Sequence, residues 1–419
     1  MKLFGYQDMK KESNFPSSTM WHWRGQSPFA HTVTVGDQVF ISGQQSLDEH
    51  GSVVGSGDIA AQTRRVFENM KSSLEALGMN LSDLVRLNTY YVFDGDDAEA
   101  TAYWEEMTRV RLEYFPNPGP AATAVRAKGM PYQGQLIQIE GVALKGESRR
   151  VRERIMPKES WDWSIAVPLS QGWKIGDRIF VGGQISADKT GASVHVGDLD
   201  AQTHNIFRYM KQILNDAGAS FEDMVRLKIC FKYDSRDPET GEAFVDRIME
   251  ISKEYIAGPP PVVTAFAVDL LYPGLDLELD AMAIVDSNTT TLLHTGVHGR
   301  YQPSEFSDGI CAGNEIYVAG QVALEADNSI IAPGDFEGQA REVFDRLTTV
   351  LTGFDATLND VVKLNLFLVT DADTEAMFNR VCEIWAELCP DGHPAVTPVR
   401  VHELARPGLL IQADCIAIR

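Results

Sequence analysis

The sequence predicts three tandem α+β domains, because one motif is written three times at near-constant spacing. The motif begins with a Gly–Asp or Gly–Asn turn, continues as a short β-branched and aromatic strand, and ends at Gly–Gln. Its copies occupy residues 36–44, 176–184 and 313–321. The number of residues between successive copies is too large for a solenoid repeat and suits one ordinary domain per copy.

Domain boundaries follow from two polar stretches. Residues 145–160 are charged and residues 286–296 are rich in Ser and Thr, so both are predicted to be exposed connectors. The predicted domains are therefore 1–148, 149–287 and 288–419.

Each repeat is predicted to have the element order β-β-α-β-α-β-β. A helix with a repeated apolar face follows the motif, with Asp58, Asp198 and Asp335 as N-caps. A near-continuous apolar strand, a second helix and a Pro-led strand pair come next. A glutamine in the first helical turn of each repeat is expected to face solvent; these glutamines are Gln62, Gln202 and Gln339.

Composition excludes several classes of function. The net charge of -22 makes nucleic acid and anionic membranes unfavourable partners, since both are polyanions. The five cysteines show no Cys-x-x-Cys spacing, which is typical of a reducing compartment, and no long apolar segment occurs. We therefore expect a cytoplasmic protein. His294 and His298 are the only two of the nine histidines with a His-x-x-x-His spacing, and no nucleotide-binding fingerprint is present, so neither a metal nor a cofactor is expected.

The repeats resemble the RidA (YjgF/YER057c/UK114) family. The resemblance rests on the Ser-Gly-Gln-type strand end, the Pro-x-x-Thr strand and the closing Ile-x-Ile-Glu-like strand, and it covers nearly the whole chain. It implies a chorismate-mutase-like fold, a mixed sheet with two helices on one face. Family members form homotrimers with ligand clefts between subunits, so three copies in one chain imply an intramolecular pseudo-trimer. The archetypal activity is hydrolysis of reactive enamines and imines.

The residues that the resemblance assigns to the clefts are only partly present. The substrate-anchoring arginine is replaced in all three repeats, by Ala122, Val263 and Val396. The water-activating glutamate position holds Gln138, Glu278 and Gln412. The serine position holds Ser42, Gly182 and Ala319, and the aromatic position holds Phe29, Leu169 and Phe306. Loss of a charged contact removes about 1.5–3 kcal/mol of binding, which argues against the archetypal substrate.

The best catalytic candidates are Glu278 and Asp280. They lie two residues apart on one face of a predicted strand, where adjacent carboxylates raise each other's pKa and suit acid–base catalysis. The position of Asp280 recurs as Glu140 and Asp414, and the alternative is that all three carboxylates are structural.

Further ligand-binding candidates lie on the Pro-led strand. Arg126 and Arg400 follow the vacated arginine position by four residues, on the same strand face and roughly 13 Å along. They are predicted to anchor an anion or, alternatively, to form exposed ion pairs. A threonine recurs at Thr123, Thr264 and Thr397, to bond either a ligand or the backbone. The pairs Trp21/Trp23 and Trp161/Trp163 are interpreted as packing surfaces or as stacking walls for a planar ligand.

The leading interpretation is a RidA-like hydrolase that acts on the C–N bond of a small imine, enamine or related metabolite in a cleft between repeats. One alternative is a non-catalytic small-molecule-binding or regulatory protein. Another is a lyase or ring-compound deaminase of a catabolic pathway on the same scaffold. The expected partner is a small-molecule substrate. The sequence leaves open whether the monomeric pseudo-trimer assembles into a higher homo-oligomer.

Overall fold

The structure is a computed structural model, and it describes residues 10–17, 20–115, 117–146, 152–232, 240–258, 260–285, 291–293, 307–371 and 373–419. Within those ranges it contains three mixed β-sheets and six α-helices. The predicted α+β class and the three tandem domains are confirmed.

The first repeat forms a six-stranded sheet in the order β1-β2-β3-β6-β4-β5. Its elements are β1 (Glu12–Asn14), β2 (Thr32–Val35), β3 (Gln38–Gln45), α1 (Ile59–Glu75), β4 (Leu84–Tyr91), α2 (Asp97–Tyr114), β5 (Ala121–Arg126) and β6 (Ile137–Leu144). Strands β4 and β5 run parallel, and the other neighbours are antiparallel. Helix α1 begins where the Asp58 side chain accepts a hydrogen bond from the Ala61 N–H, as its N-cap role predicts.

The second and third repeats follow the same plan. The second contains β7 (Arg152–Ile155), β8 (Gly172–Ile175), β9 (Arg178–Ile185), α3 (Leu199–Asp216), β10 (Met224–Lys232), α4 (Thr240–Ser252), β11 (Val262–Val268) and β12 (Leu277–Ile284). The third contains β13 (Thr291–Leu293), β14 (Gly309–Ala312), β15 (Glu315–Val322), α5 (Phe336–Thr352), β16 (Val361–Leu368), α6 (Thr374–Leu388), β17 (Ala395–Arg400), β18 (Glu403–Leu404) and β19 (Ile411–Ile418). The sheet orders are β18-β11-β10-β12-β9-β8-β7 and β13-β14-β15-β19-β16-β17.

Each sheet gains an edge strand that the sequence did not predict, and the second sheet also gains β18 from the third repeat, which pairs with β11. Strands β1, β7 and β13 pair at the edge beside β2, β8 and β14. The prediction that residues 145–160 form only an exposed connector is wrong, because residues 152–155 are strand β7. Residues 147–151, 286–290 and 294–306 lie outside the described ranges, and the two boundaries between the three predicted domains stay predictions.

The glutamine in the first turn of each leading helix does not face solvent, so that expectation is wrong. Gln62, Gln202 and Gln339 are all fully buried. The Gln62 amide donates to Gly134 O at 2.8 Å and accepts from Leu136 N at 2.8 Å. Each helix is thereby tied to the segment that enters the last strand of its sheet.

The three sheets close into an intramolecular pseudo-trimer. Strand β5 lies beside β9, β11 beside β15, and β17 beside β3, so every repeat contacts both others. One face of each sheet packs against its helices, and the opposite face meets a core shared by all repeats, which includes Phe40, Phe180 and Tyr317. The predicted pseudo-trimer is confirmed.

The Gly–Gln motif forms a β-bulge in each repeat. The register slips by one residue between Ile41 and Gln44, and equivalent slips occur in β9 and β15. A Cβ atom on Gly43 would lie 2.5 Å from Gln138 Cδ, and one on Gly320 would lie 2.8 Å from Gln412 Nε2. Glycine is therefore required for the polar side chain of the last strand to cross the bulge.

Candidate functional site

Three equivalent clefts lie where the edge strand of one repeat meets the bulged strand of another. We name them cleft 1/2 (β5 and β9), cleft 2/3 (β11 and β15) and cleft 3/1 (β17 and β3). Backbone hydrogen bonds join the repeats at two of them, from Ser170 N to Pro120 O at 3.1 Å and from Ala30 N to Pro394 O at 3.1 Å. The structure thus establishes which repeats adjoin, a point that the sequence left open.

A cyclic set of buried ion pairs links the clefts through the shared core. Arg86 of the first repeat pairs with Asp280 of the second, and Arg226 of the second contacts Asp414 of the third at 3.0 Å. Lys363 of the third repeat closes the circle with Glu140 of the first at 2.5 Å. We refer to these six residues as the ion-pair ring.

All six ring side chains are buried, so each charge depends on its partner. Burial alone would raise the pKa of Asp280, but Arg86, Lys228 and Arg226 hold it below its usual range. Burial likewise opposes ionisation of Glu140, but Lys363 and Lys228, with a hydrogen bond from Asn88, hold its pKa well below the usual range. The three ring carboxylates are therefore better explained as structural ion-pair partners than as groups that transfer protons.

The repeated threonine serves the ring in two of its three copies. Thr123 Oγ1 donates to Asp280 Oδ2 at 3.0 Å, and Thr397 Oγ1 donates to Glu140 Oε2 at 2.6 Å. Thr264 Oγ1 is buried and has no hydrogen-bond partner among the described residues. A small cavity of about 20 Å³ lies beside the ring, lined by Arg86, Arg226 and Lys363 among others. It is large enough for about one water molecule.

Glu278 differs from every other cleft side chain. It is 3% exposed, the backbone N–H of Ala124 donates to its carboxyl group, and its Oε2 has no partner among the described residues. Burial, reinforced by the charge of Asp280, raises its pKa to about 8. At neutral pH this group is therefore a protonated acid at the junction of two repeats, and it can give up its proton at modest cost.

The other two copies of the Glu278 position carry buried glutamines. In cleft 3/1, Gln138 Nε2 donates to Pro398 O at 2.9 Å and Gln138 Oε1 accepts from Gln45 at 2.8 Å. In cleft 2/3, neither amide atom of Gln412 has a partner among the described residues. Neither side chain can titrate, so cleft 1/2 alone combines this position with an acid.

Ser42 and Phe29 belong to cleft 3/1 and not to the cleft of Glu278. Ser42 Oγ donates to Ala30 O at 2.5 Å and accepts from Val396 N at 2.8 Å, which uses its hydrogen-bonding capacity within the protein. The Phe29 ring is buried against Phe378 of the third repeat at a centroid distance of 6.2 Å. Phe306, the matching aromatic of the third repeat, lies outside the described residues.

The two candidate anchoring arginines are engaged in ion pairs. Arg126 is buried, and it donates to Asp97 Oδ1 at 2.5 Å and to Leu270 O at 3.0 Å. Arg400 lies 3.6 Å from the exposed Asp371. The geometry favours the ion-pairing alternative for Arg126. The ligand-binding roles of these and the other predicted site residues stay predictions.

The tryptophan pairs pack inside the protein. Trp21 and Trp23 lie outside any strand, with ring centroids 4.9 Å apart, and Trp23 contacts Phe378 of the third repeat at 5.3 Å. Trp161 and Trp163 form the matching pair at 4.8 Å. All four are at least nine-tenths buried, so packing between repeats describes them better than a stacking wall.

Sequence reasoning missed a polar cluster beneath helix α2. Tyr91, Trp104, Thr108 and Arg111 are each less than 3% exposed, and each has a side-chain nitrogen or oxygen with no partner among the described residues. Trp104, Thr108 and Arg111 follow the i, i+4, i+7 spacing of one helix face. That spacing could have indicated that Arg111 is buried with the other two side chains. It was not used, because an arginine near a helix end is usually solvated.

No group of three or more His, Cys, Asp or Glu side chains in the described part of the chain could hold a metal ion. All five cysteines are buried and unpaired. None of the helices that the structure describes is long and apolar enough to cross a bilayer.

Comparison with known proteins matches the chain to one family three times. The family described as endoribonuclease L-PSP matches residues 24–145, 163–285 and 301–419. A RutC family protein of Pyrococcus horikoshii is 36% identical over 118 residues, which cover 28% of this chain and 87% of that protein. The 3-aminoacrylate deaminase RutC of Acinetobacter baylyi is 36% identical over 117 residues, which cover 28% of this chain and 86% of that protein.

A solved structure shows the same fold at the scale of the whole chain. A chorismatase structure superposes with a TM-score of 0.53 at 13% identity, covering 80% of this chain and 93% of that one. At this identity the likeness concerns fold alone. The three family matches together span most of the chain, so this protein belongs to the RidA (YjgF/YER057c/UK114) family and carries three tandem copies of its domain.

Proposed function

We propose that this protein hydrolyses the C–N bond of a small imine or enamine in cleft 1/2, with Glu278 as the acid–base group. The single observation that carries the proposal is the state of Glu278, a buried carboxyl with a pKa of about 8 and one unpartnered oxygen. Membership of the RidA family and similarity to a 3-aminoacrylate deaminase support an imine-related reaction.

The reaction would proceed in balanced proton transfers. Protonated Glu278 gives its proton to the imine nitrogen and becomes a carboxylate. The carboxylate then takes a proton from a water molecule while the water oxygen bonds to the imine carbon and the C=N π electrons move to nitrogen. Glu278 returns that proton to nitrogen, and as the C–N bond breaks the hydroxyl proton passes to the Glu278 carboxylate. A ketone and neutral ammonia leave, and Glu278 again holds the proton with which the cycle began. An enamine enters the same sequence after protonation at carbon.

Asp280 and the ring would support this chemistry without touching the substrate. The Asp280 charge is fixed by Arg86 and Lys228, and it disfavours ionisation of the neighbouring Glu278. Glu278 therefore starts each cycle with its proton. RNA is a poor substrate for a chain of net charge -22, despite the family description.

The test is ammonia release from imines generated in situ by an amino-acid oxidase. Glu278→Gln keeps the side-chain shape and imitates the glutamines of the other clefts, and it should lower the rate by about 10²-fold or more. The control is Gln138→Asn, a change in a cleft that has no acid at this position, and it should leave the rate within about twofold. Gln412→Glu would not serve as a control, because it adds an acid to another cleft. Equal rates for wild type and Glu278→Gln would overturn the proposal.

Binding without chemistry is the second candidate, for clefts 2/3 and 3/1 only. Gln138 and Gln412 cannot transfer protons, yet Gln412 and Thr264 are buried in cleft 2/3 with hydrogen-bonding atoms that have no partner among the described residues. These atoms suit a neutral polar ligand. Detection of such a ligand by calorimetry in the Glu278→Gln variant would separate this function from hydrolysis.

A further inference from the structure

The small cavity in the shared core is bounded by side chains from all three repeats. Its charged lining consists of the three cations of the ion-pair ring, together with Glu140. Apolar side chains that include Phe40 and Met282 form much of the remaining wall. Its volume of about 20 Å³ suits one occupant of about the size of a water molecule.

The carboxylate in the cavity lining already has its partners within the protein. Glu140 Oε1 accepts from Asn88 Nδ2 at 2.6 Å, and its Oε2 accepts from Thr397 Oγ1 at 2.6 Å and pairs with Lys363 at 2.5 Å. Arg86 is different, because its Nη1 is buried and has no hydrogen-bond partner among the described residues. A guanidinium nitrogen can only donate. The cavity wall therefore offers an unused donor on a buried cation.

The buried charges on the strands that form the ring do not balance. Strands β4, β6, β10, β12, β16 and β19 carry four buried cations, namely Arg86, Arg226, Lys228 and Lys363. They carry the three ring carboxylates Glu140, Asp280 and Asp414. The fourth acid, Glu278, is protonated at neutral pH, and the nearby Arg178 and Glu315 pair with each other at 2.7 Å. Four cations against three carboxylates leave one positive charge in the core.

The extra charge comes from one departure from the repeat pattern. Asn88, Lys228 and Asn365 occupy equivalent positions, each opposite the ring carboxylate of its own repeat. The two asparagines are neutral and donate to those carboxylates at 2.6 and 2.7 Å. Lys228 Nζ instead lies 3.7 Å from Asp280 Oδ2, and its hydrogen bond at 3.2 Å goes to the uncharged Tyr90 hydroxyl.

Asp280 is consequently shared between two cations. Arg86 bonds its Oδ1, and Lys228 approaches its Oδ2. Asp414, by contrast, accepts from Arg226 through both oxygens at 3.0 Å. Arg86 is therefore the ring cation whose counter-charge is divided, and it is also the one with an unpartnered nitrogen. A buried charge without full compensation is costly, and an ordered ion is a common partner of such a donor.

We propose that this cavity binds one chloride ion, which accepts a hydrogen bond from Arg86 Nη1 and balances the charge added by Lys228. Water would satisfy the donor but would leave the charge uncompensated. A chloride ion is only slightly larger than water, whereas sulfate, phosphate and organic carboxylates are too large for about 20 Å³. The site differs from the three clefts in position and in ligand, and it does not depend on the proposed hydrolysis.

The first experiment measures chloride-linked stability. The full chain would be unfolded with urea at pH 7 in increasing sodium chloride, with sodium gluconate keeping the ionic strength constant, because gluconate is too large for the cavity. The unfolding equilibrium constant of wild type should fall about tenfold for each tenfold rise in chloride above the dissociation constant, as one bound ion requires. Equal unfolding constants in chloride and in gluconate would overturn the proposal.

Lys228→Asn is the decisive variant, since it introduces the residue that the other two repeats carry and removes the extra charge. Its unfolding constant should not depend on chloride. The matched control is Lys232→Asn on the same strand, because Lys232 is partly exposed and pairs with Asp97 at 3.3 Å. This control should keep the chloride dependence of wild type. A dependence that persists in Lys228→Asn, or that vanishes in Lys232→Asn, would contradict the assignment.

Bromide locates the ion without relying on a variant that has to fold. Wild-type crystals grown in sodium bromide should show an anomalous peak in the cavity beside Arg86, and a cavity without such a peak would exclude the site. Glu278→Gln leaves the charge count unchanged, so it should keep the bromide peak while it loses ammonia release. The anion site and the hydrolase are thereby tested separately.

Discussion

Clefts 1/2 and 3/1 have the same backbone and opposite hydrogen-bonding requirements. In cleft 1/2 the N–H of Ala124 meets the Glu278 carboxyl, whereas in cleft 3/1 the equivalent residue is Pro398, which has no N–H. There the Gln138 amide donates to the Pro398 carbonyl instead. Pro398 thus makes cleft 3/1 suitable for an amide side chain. Cleft 1/2 has no proline at that position and can hold a carboxylic acid. Three covalently joined copies allow such divergence, which identical subunits of a homotrimer cannot show.

The largest expected change in stability concerns the ion-pair ring, which both clefts share. Lys363→Met should lower the free energy of unfolding by about 3–5 kcal/mol, because it leaves the Glu140 carboxylate buried without its ion-pair partner. Chemical denaturation would measure it. Lys363→Arg is the control, since Arg86 and Arg226 already fill the equivalent positions, and it should cost far less. Equal losses for the two variants would show that shape at this position matters more than charge.

A smaller effect would test the role of Pro398 directly. Gln138→Glu should lower the free energy of unfolding by about 1–3 kcal/mol at a pH above 8, where the new side chain is ionised, because a carboxylate oxygen would replace the donor that faces Pro398 O. Adding Pro398→Ala supplies an N–H and should recover part of the loss. A double-mutant cycle measured by denaturation gives the coupling. Additive costs would break the proposed link between the proline and the amide.

The smallest step to be resolved is the change in stability per pH unit that Glu278 contributes. Its pKa is raised to about 8 in the folded protein and is about 4.3 when unfolded, so between these values the folded state holds more protons. The contribution is fully present below about pH 4.3 and is lost as pH rises towards 8, by at most about 1.4 kcal/mol per pH unit. Subtracting the stability profile of Glu278→Gln from that of wild type should reveal this fall. A flat difference would mean that Glu278 titrates normally.

Local sequence patterns predicted most of the fold. The repeated turn, strand and helix faces depend on neighbours in sequence, so the motif around Gly43 and the N-cap Asp58 could be read directly. The bulge at Gly43 could not be predicted, because the need for glycine there comes from the side chain of Gln138 on another strand. Gln62 was misplaced for the same reason, since its partners Gly134 and Leu136 are distant in sequence.

The candidate site was predicted less completely. Glu278 was found because the family resemblance names its position. The ion pair of Arg86 with Asp280 depends on which repeats adjoin, and one sequence does not contain that order. Arg111 was missed because its burial follows from the packing of α2 on the first sheet, where it bonds Thr89 of β4, and not from the residue type.

The ion-pair ring also sets an order of events during synthesis. Glu140 is made early, but its partner Thr397 lies 257 residues farther along the chain, and Lys363 belongs to the same last repeat. At about 5–20 residues per second, the ribosome needs roughly 13–50 seconds to cover that distance. For that interval burial of the ionised Glu140 side chain is unfavourable, because its partner Lys363 has not yet been made. The first repeat therefore reaches its final packed state only when the last repeat emerges.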